Sequence, residues 1–349
     1  MSKGRALVTG ANGFIAGRAI EGFLKAGWDV RGTVRSLKSA GPLKDALAEY
    51  GSRLELVEVP DITAPGAFDV ALQGVTAVAH LASPVSLQFT DPEPVLRTAV
   101  NGTLSILKSA TTVPSVKVFI LLSSVTAIMR RVEGPLVVNE SQWNDWAEPL
   151  VAELGNKTPG PAIYSASKVR GERSFWQFRD DHKDSIKFAM TAINPSFVAG
   201  PPVTTPQTPD QVTETNAFIW DVLTGKDIAT AGVAGFGGVQ GSSGYVDVRD
   251  VSRVIVFAAE HPDETDGERY LLSAHFAGAQ AAADILREAY PDRRGVIQTG
   301  TPGEGYYPGY KFGGEKVFDS SKAVKASGQD FIPFEKTVLD TAKAFEHLL

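Results

Sequence analysis

Tyr164 and Lys168 are the residues whose types and spacing point most directly to chemistry. Residues four apart on a helix share one face, with about 5–6 Å between their Cβ atoms, so a phenol and an ammonium would stand side by side. Coulomb attraction then favours phenolate, and the Tyr164 proton becomes easier to release near neutral pH. Tyr164 is therefore a candidate general acid. The local sequence permits the helix: residues 162–183 contain no proline, Ile163, Val169, Phe175 and Phe178 offer an apolar face, and Gly171 is the one weak point. Among eight tyrosines the spacing alone is weak evidence. Tyr307 and Lys311 share it, but Pro308 and Gly309 between them forbid the helix that would align the pair.

A second constellation lies near the N-terminus. Residues 6–9 read as a short buried strand, followed by Gly10-Ala11-Asn12-Gly13-Phe14-Ile15-Ala16-Gly17 and helical sequence through Lys25. Glycines at 10 and 13 let the backbone turn tightly and approach a pyrophosphate, and Ala16 lets the helix pack close. The helix N-terminus offers free N–H groups and positive dipole to the anion. A dinucleotide fits, with Gly10, Asn12, Gly13, Phe14 and Ile15 as its candidate contacts. Gly232, Gly235 and Gly238 repeat the spacing without a strand before or a helix after.

The strand at 28–34 ends at Arg35-Ser36-Leu37-Lys38, where an NAD-selective enzyme commonly carries an acid for the ribose hydroxyls. Arg35 and Lys38 could instead pair with a 2′-phosphate, which favours NADP(H), or could simply be solvated. Strands at 54–59 and 77–84 end similarly at positions of interest, because ligands of a doubly wound sheet lie beyond the carboxyl ends of its strands. Asp61, with Ile62 beside it, could meet the adenine, while Ala82 and Ser83 would border the cofactor ribose. Asp61 could equally be a helix cap, and His80, inside an apolar strand, reads as a packed histidine rather than a base. A helix at 94–110 carries Asn101. The apolar strand at 116–122 ends at Ser123-Ser124, where Ser124 could meet a substrate oxygen or cap the next turn; position alone favours it little over Ser123.

The elements that would position these groups define an α/β fold: a Rossmann doubly wound parallel sheet with a smaller C-terminal substrate-binding domain. We expect domains at 1–194 and 195–349, with about 240–262 returning to the Rossmann layer. A chain of 349 residues with 43% hydrophobic content can bury cores of that size. Without cysteine there are no disulfides or thiolate sites, and the five histidines show no close metal-ligand pairing. A net charge of -6 without a basic run argues against nucleic acid or anionic membrane as partner. No apolar run approaches a membrane span, and the N-terminus enters a strand directly instead of a signal peptide. The expectation is a soluble cytoplasmic protein, monomer or homodimer, acting on a small molecule.

Taken in order, Thr9-Gly10-x-x-Gly13-x-x-Ala16, Ser124 and Tyr164-x-x-x-Lys168 resemble the extended short-chain dehydrogenase/reductases. The dihydroflavonol-reductase-like branch, with fungal and yeast NADPH-dependent carbonyl, aldehyde and methylglyoxal reductases, is similar in four further stretches. These are Val30-Arg31-Gly32-Thr33-Val34-Arg35, His80-Leu81-Ala82-Ser83-Pro84, Asn194-Pro195-Ser196-Phe197-Val198 and Tyr245-Val246-Asp247-Val248-Arg249-Asp250. The resemblance spans residues 5 to 275 and fades beyond. It implies hydride transfer from C4 of NADPH to a carbonyl carbon, with Tyr164 protonating the oxygen, Ser124 hydrogen-bonding it and Lys168 holding the ribose. It also implies a carboxamide contact at residues 195–198, including Pro195 and Val198, and a proton-relay role for Asn101.

After Pro195 the composition turns to Pro, Thr and Gly, which suits a pocket wall, interrupted by a helix at 216–223 and one at 247–260. Phe89, Trp143, Trp146, Phe197, Trp220 and Tyr245 could line a pocket for an apolar or aromatic carbonyl compound, although for any one of them taken singly a place in the core is the better reading. A hydroxysteroid dehydrogenase or nucleotide-sugar epimerase of the same fold, or a non-catalytic NADP-binding regulator, are the competing readings. An intact Ser124, Tyr164 and Lys168 weigh against the regulator.

Overall fold

The computed structural model describes residues 2–130, 136–231, 242–304 and 316–349. The glycine set at 232–238 and the Tyr307–Lys311 pair lie outside the described residues. Apolar runs punctuated by Gly, Pro and Asp become strands: Arg5–Thr9 (β1), Asp29–Val34 (β2), Leu54–Glu58 (β3), Ala77–His80 (β4), Val118–Leu122 (β5), Leu136–Val138 (β6) and Ala189–Pro195 (β7). They continue with Phe197–Ala199 (β8), Ser242–Asp247 (β9), Arg269–Leu272 (β10), His275–Gly278 (β11) and Lys316–Phe318 (β12). A seven-stranded sheet has the order β10-β7-β5-β4-β1-β2-β3. β1 pairs in parallel with β2 on one side and β4 on the other, so the chain reverses direction across the sheet at that point. This is the switch point of a doubly wound sheet, beyond whose carboxyl ends ligands bind. β4 and β5 are buried throughout, as strands covered on both faces must be.

The chain divides into two compact units: Met1–Arg131, Glu140–Asn194 and Ser252–Tyr270 form one, and Val132–Asn139, Pro195–Val251 and Leu271–Leu349 the other. The returning stretch thus begins at Ser252 and runs to Tyr270, later and somewhat shorter than the expected 240–262. Its physical reason is the seating of one helix. The Ser252 hydroxyl donates to Arg18 O at 2.7 Å, and a Cβ on Gly22 would lie 2.3 Å from that hydroxyl, so Val248–Glu260 packs against Phe14–Lys25 (α1).

In the first unit, Phe68, Phe119, Phe175, Leu72, Ile106 and Met190 form the core, all fully buried. Each such side chain contributes about 1.5–3 kcal/mol relative to exposure. Phe175 projects from the helix Gly160–Asp181 (α3), and Ile106 from Pro92–Thr111 (α2). The two helices approach closely at Gly171, where a Cβ would be 3.8 Å from that of Ala99. The second unit has its own core around Phe218, Ile219, Leu286, Phe334 and Val338. There β8, β9 and β11 form a small sheet, with β12 beside β6 in another.

Candidate active site

The turn after β1 has the geometry that an anion requires. Gly10 sits in the left-handed region with φ +69°, and a Cβ there would press on Ala82 at 3.2 Å, so glycine serves both conformation and close approach. Gly13 is the N-cap of α1, no side chain caps that helix, and its first turn carries no acid. The N–H groups of Phe14 and Ile15 at that helix start are therefore not engaged by a capping side chain. This is a fit for a pyrophosphate. The Asn12 amide is turned aside, donating to Ser39 O at 3.1 Å and Ser39 Oγ at 2.8 Å, which ties the turn to the loop after β2.

Thr9, just before the turn, carries more than the sequence motif suggested. Its hydroxyl accepts from the N–H groups of Leu81 and Ala82, both at 2.9 Å, and lies 3.0 Å from His80 Nδ1. A hydroxyl that already accepts twice directs its own hydrogen to the ring, which leaves the His80 proton on Nε2. Burial, with Lys168 nearby, holds the His80 pKa down at about 3, so this ring stays neutral and packed, between Phe68 and Phe119. His80 is no general base.

In the loop after β2, Arg35 and Lys38 are both exposed, near the Gly10 turn through Asn12 and Ser39. The Leu37 N–H donates to Glu58 Oε2 at 2.9 Å, placing a carboxylate in the same loop that the sequence reading did not include. Its signal was the parallel pairing of Val34 with Glu58, which a single sequence does not reveal. Asp61 accepts from Thr63 N at 2.8 Å and Thr63 Oγ1 at 2.7 Å, bonds that hold its carboxyl below the usual carboxylate range. It is exposed, next to half-buried Ile62.

Tyr164 and Lys168 lie on α3 as the spacing requires, with Lys168 Nζ 5.5 Å from the centre of the Tyr164 ring. Nζ donates to Ser83 Oγ at 3.2 Å, which joins α3 to the loop after β4. Burial lowers the Lys168 pKa to about 8, against the opposing charge of Glu172. Ser124 follows β5 and caps the next turn, its hydroxyl accepting from Thr126 N at 3.2 Å. Ser123 is committed elsewhere: its hydroxyl donates to Glu172 Oε2 at 2.5 Å. Of the two serines, geometry therefore distinguishes Ser124 as the one without a carboxylate partner.

One expectation is corrected. Asn101 is exposed on α2, while Ala99 and Thr103 of that helix line the cavity beside Lys168. Two residues rotate a helix by about 200°, so Asn101 faces away from the lysine and is not brought to a proton relay. Several of the aromatics are also packing residues. Trp146 sits with Leu96 and Ala166 and donates to Met129 O at 3.2 Å, Trp143 stacks under Arg269 at 4.0 Å, and Tyr245 is buried against Phe218. Pro195 closes β7, and Val198 is buried in β8 opposite Val246.

A Rossmann sheet with a glycine turn at its switch point and a Tyr-Lys helix defines a nucleotide-dependent oxidoreductase or epimerase class, and the chain belongs to the NAD dependent epimerase/dehydratase family, whose model matches residues 6–273. Within it, the chain is 32% identical over 345 residues to the NADPH-dependent methylglyoxal reductase of Saccharomyces cerevisiae, covering 96% of each. It is 38% identical over 200 residues to aldehyde reductase 2 of Sporidiobolus salmonicolor, 56% of this chain and 57% of that one. The crystal structure of the yeast methylglyoxal/isovaleraldehyde reductase complexed with NADPH superposes with a TM-score of 0.82 at 30% identity, over 99% of this chain and 100% of that one.

Proposed function

We propose that this protein is an NADPH-dependent carbonyl reductase that converts a ketone or aldehyde to the alcohol. The observation that carries the reading is the Tyr164–Lys168 pair, with the half-buried phenol beside a buried lysine bonded to Ser83, in a chain with an uncapped glycine turn that is similar over 96% of its length to a methylglyoxal reductase. When bound, NADPH supplies a hydride from C4 of its nicotinamide to the carbonyl carbon. Tyr164 gives its phenolic proton to the carbonyl oxygen as charge develops there. The Ser124 hydroxyl, which accepts one bond from Thr126, keeps its hydrogen free to donate to the same oxygen. The Lys168 ammonium stabilises the phenolate left behind and hydrogen-bonds the ribose.

For the cofactor, Gly10, Gly13, Phe14 and Ile15 take the pyrophosphate, Arg35 and Lys38 the 2′-phosphate, Asp61 and Ile62 the adenine, and Ala82 and Ser83 the ribose. Pro195 ends, and Val198 follows, the strand paired with the one that Ser124 follows, which suits a carboxamide contact. Support for an apolar or aromatic substrate comes from Val85, 65% exposed, and half-buried Phe89 in the loop after β4. The second unit is the substrate-binding part in this reading.

The test is oxidation of NADPH and of NADH by purified protein over aryl ketones, β-keto esters, α-diketones and aliphatic aldehydes, with Tyr164→Phe alongside. We expect turnover with NADPH, lost by more than about a thousandfold in Tyr164→Phe while cofactor binding stays within about twofold. Turnover unchanged in the variant removes Tyr164 as the acid. Cofactor binding without turnover on any compound shifts weight to the epimerase, hydroxysteroid or regulatory readings.

A further inference from the structure

Glu172 lies one turn beyond Lys168 on α3, which puts it on the face already carrying Tyr164 and Lys168. Its side chain is fully buried, and four donors converge on it. Ser123 Oγ at 2.5 Å and Asn194 Nδ2 at 2.7 Å donate to Oε2; Arg269 Nε at 2.6 Å and Trp176 Nε1 at 3.3 Å donate to Oε1. Arg269 is fixed in turn, since its Nη1 donates to Glu140 O and Gln142 O, both at 2.7 Å, and its guanidinium lies over Trp143. Asn194 also donates to Ser124 O at 3.2 Å, so one carboxylate is joined to the backbone of Ser124 through two neighbours.

A cavity lies between the carboxylate and the lysine, lined by His80, Ser83, Thr103, Ser123, Lys168 and Glu172. It offers about 20 Å³ to the centre of a water, above the roughly 10–15 Å³ that one water needs. The groups facing Lys168 are Tyr164 and Glu172 from its own helix, His80 and Ser83 from β4 and its loop, Ser123 just after β5, and the uncharged Ala99 and Thr103 from α2. His80 is neutral, so Glu172 is the one carboxylate among these groups.

We propose that Glu172 is a positioning residue for the reaction, holding Ser124 in place through Ser123 and Asn194 and keeping the buried Lys168 in its charged form. The inference deepens the reductase reading and rests on it. Burial alone pulls the lysine down, and the carboxylate opposes that pull. A lysine is active here when protonated, so activity is present below its pKa and falls as pH rises through it. Loss of the carboxylate lowers that pKa and moves the alkaline limb to lower pH.

The test pairs Glu172→Gln/Arg269→Gln, which removes both charges of the buried Glu172–Arg269 ion pair, with Ser123→Ala, which keeps them. In the double variant we expect the Lys168 titration, followed by 13Cε NMR without cofactor, to fall by about one pH unit or more, and the alkaline limb of kcat to fall with it. Ser123→Ala is expected to lower kcat about fivefold or more, with NADPH affinity and the Lys168 titration unmoved. A folded double variant with the wild-type lysine titration overturns the electrostatic half, and Ser123→Ala with wild-type kcat overturns the positioning half. If the double variant does not fold, the kcat of Ser123→Ala decides the positioning half, and the wild-type protein decides the other: an alkaline limb of kcat that does not coincide with the Lys168 titration overturns it. Since the NMR titration needs neither cofactor nor substrate, it stands even if no carbonyl compound is reduced.

Discussion

Charges of both signs meet in the loop after β2. Arg35 and Lys38 project into solvent, while the Leu37 N–H is held by the Glu58 carboxylate at 2.9 Å. A 2′-phosphate arriving there gains from the two cations and loses from the acid. A charge-assisted bond is worth about 1.5–3 kcal/mol, so Arg35→Asp should weaken NADPH binding roughly 10- to 150-fold while NADH changes by less than about threefold. The exposed Glu58 acts more weakly, at most about 1 kcal/mol, so Glu58→Gln should tighten NADPH by up to roughly fivefold. Calorimetric titration with both cofactors measures each. Equal loss for NADPH and NADH in Arg35→Asp counts against phosphate recognition. The basic pair was legible in the sequence because it follows β2 directly; Glu58 was not, because only the β2–β3 register brings it to Leu37.

On α3, two glycines that look alike in the sequence have opposite surroundings. Gly160 opens the helix against the loop after β4: a Cβ there would lie 2.1 Å from Leu87 O and 2.8 Å from Leu87 C. That loop also carries Ser83, the partner of Lys168 Nζ. Gly160→Ala must displace backbone, and overpacking of this kind costs about 1–3 kcal/mol. The nearest atoms to a Cβ on Gly171 are Ala99 O and Cβ at 3.7 and 3.8 Å, ordinary contacts. A mid-helix Gly→Ala change into available space stabilises by about 0.5–1 kcal/mol. Urea unfolding should therefore show Gly160→Ala destabilised, with activity reduced about tenfold or more through Ser83, and Gly171→Ala stabilised. Reversed signs would refute this account of how α3 is seated. Residue types and 3.6-residue periodicity fixed the existence of this helix to within two residues at either end. Whether a glycine in it is a weakness or a necessity depends on a neighbour some 70 residues away.

At the scale of the molecule, the doubly wound fold class and the sequence-local motifs were legible because each motif lies within one strand-turn-helix; the order of the strands across the sheet was not. The Glu172–Arg269 pair, 97 residues apart, was not. Glu172 still left a signal, as an acid at the third position of the Tyr164, Lys168 face. The pair also bears on where the chain can be cut. A fragment of residues 1–194 holds six strands of the main sheet and all of Ser124, Tyr164 and Lys168, but lacks Ser252–Tyr270. Removing that stretch takes Arg269 from the fully buried Glu172 carboxylate. It also takes Ser252 from α1, and Glu260 from Lys3 Nζ at 2.6 Å and Trp28 Nε1 at 3.1 Å. Breaking a buried ion pair by loss of one partner costs about 3–5 kcal/mol, against a total stability of about 5–15 kcal/mol for a domain. With the lost packing on α1 added, the fragment should show no cooperative thermal transition by circular dichroism, where the full chain shows one. If Glu172→Gln in the fragment restores a cooperative transition, the uncompensated carboxylate is the main cause; if the unchanged fragment already unfolds cooperatively, the returning stretch is dispensable and the first unit is a contiguous domain after all.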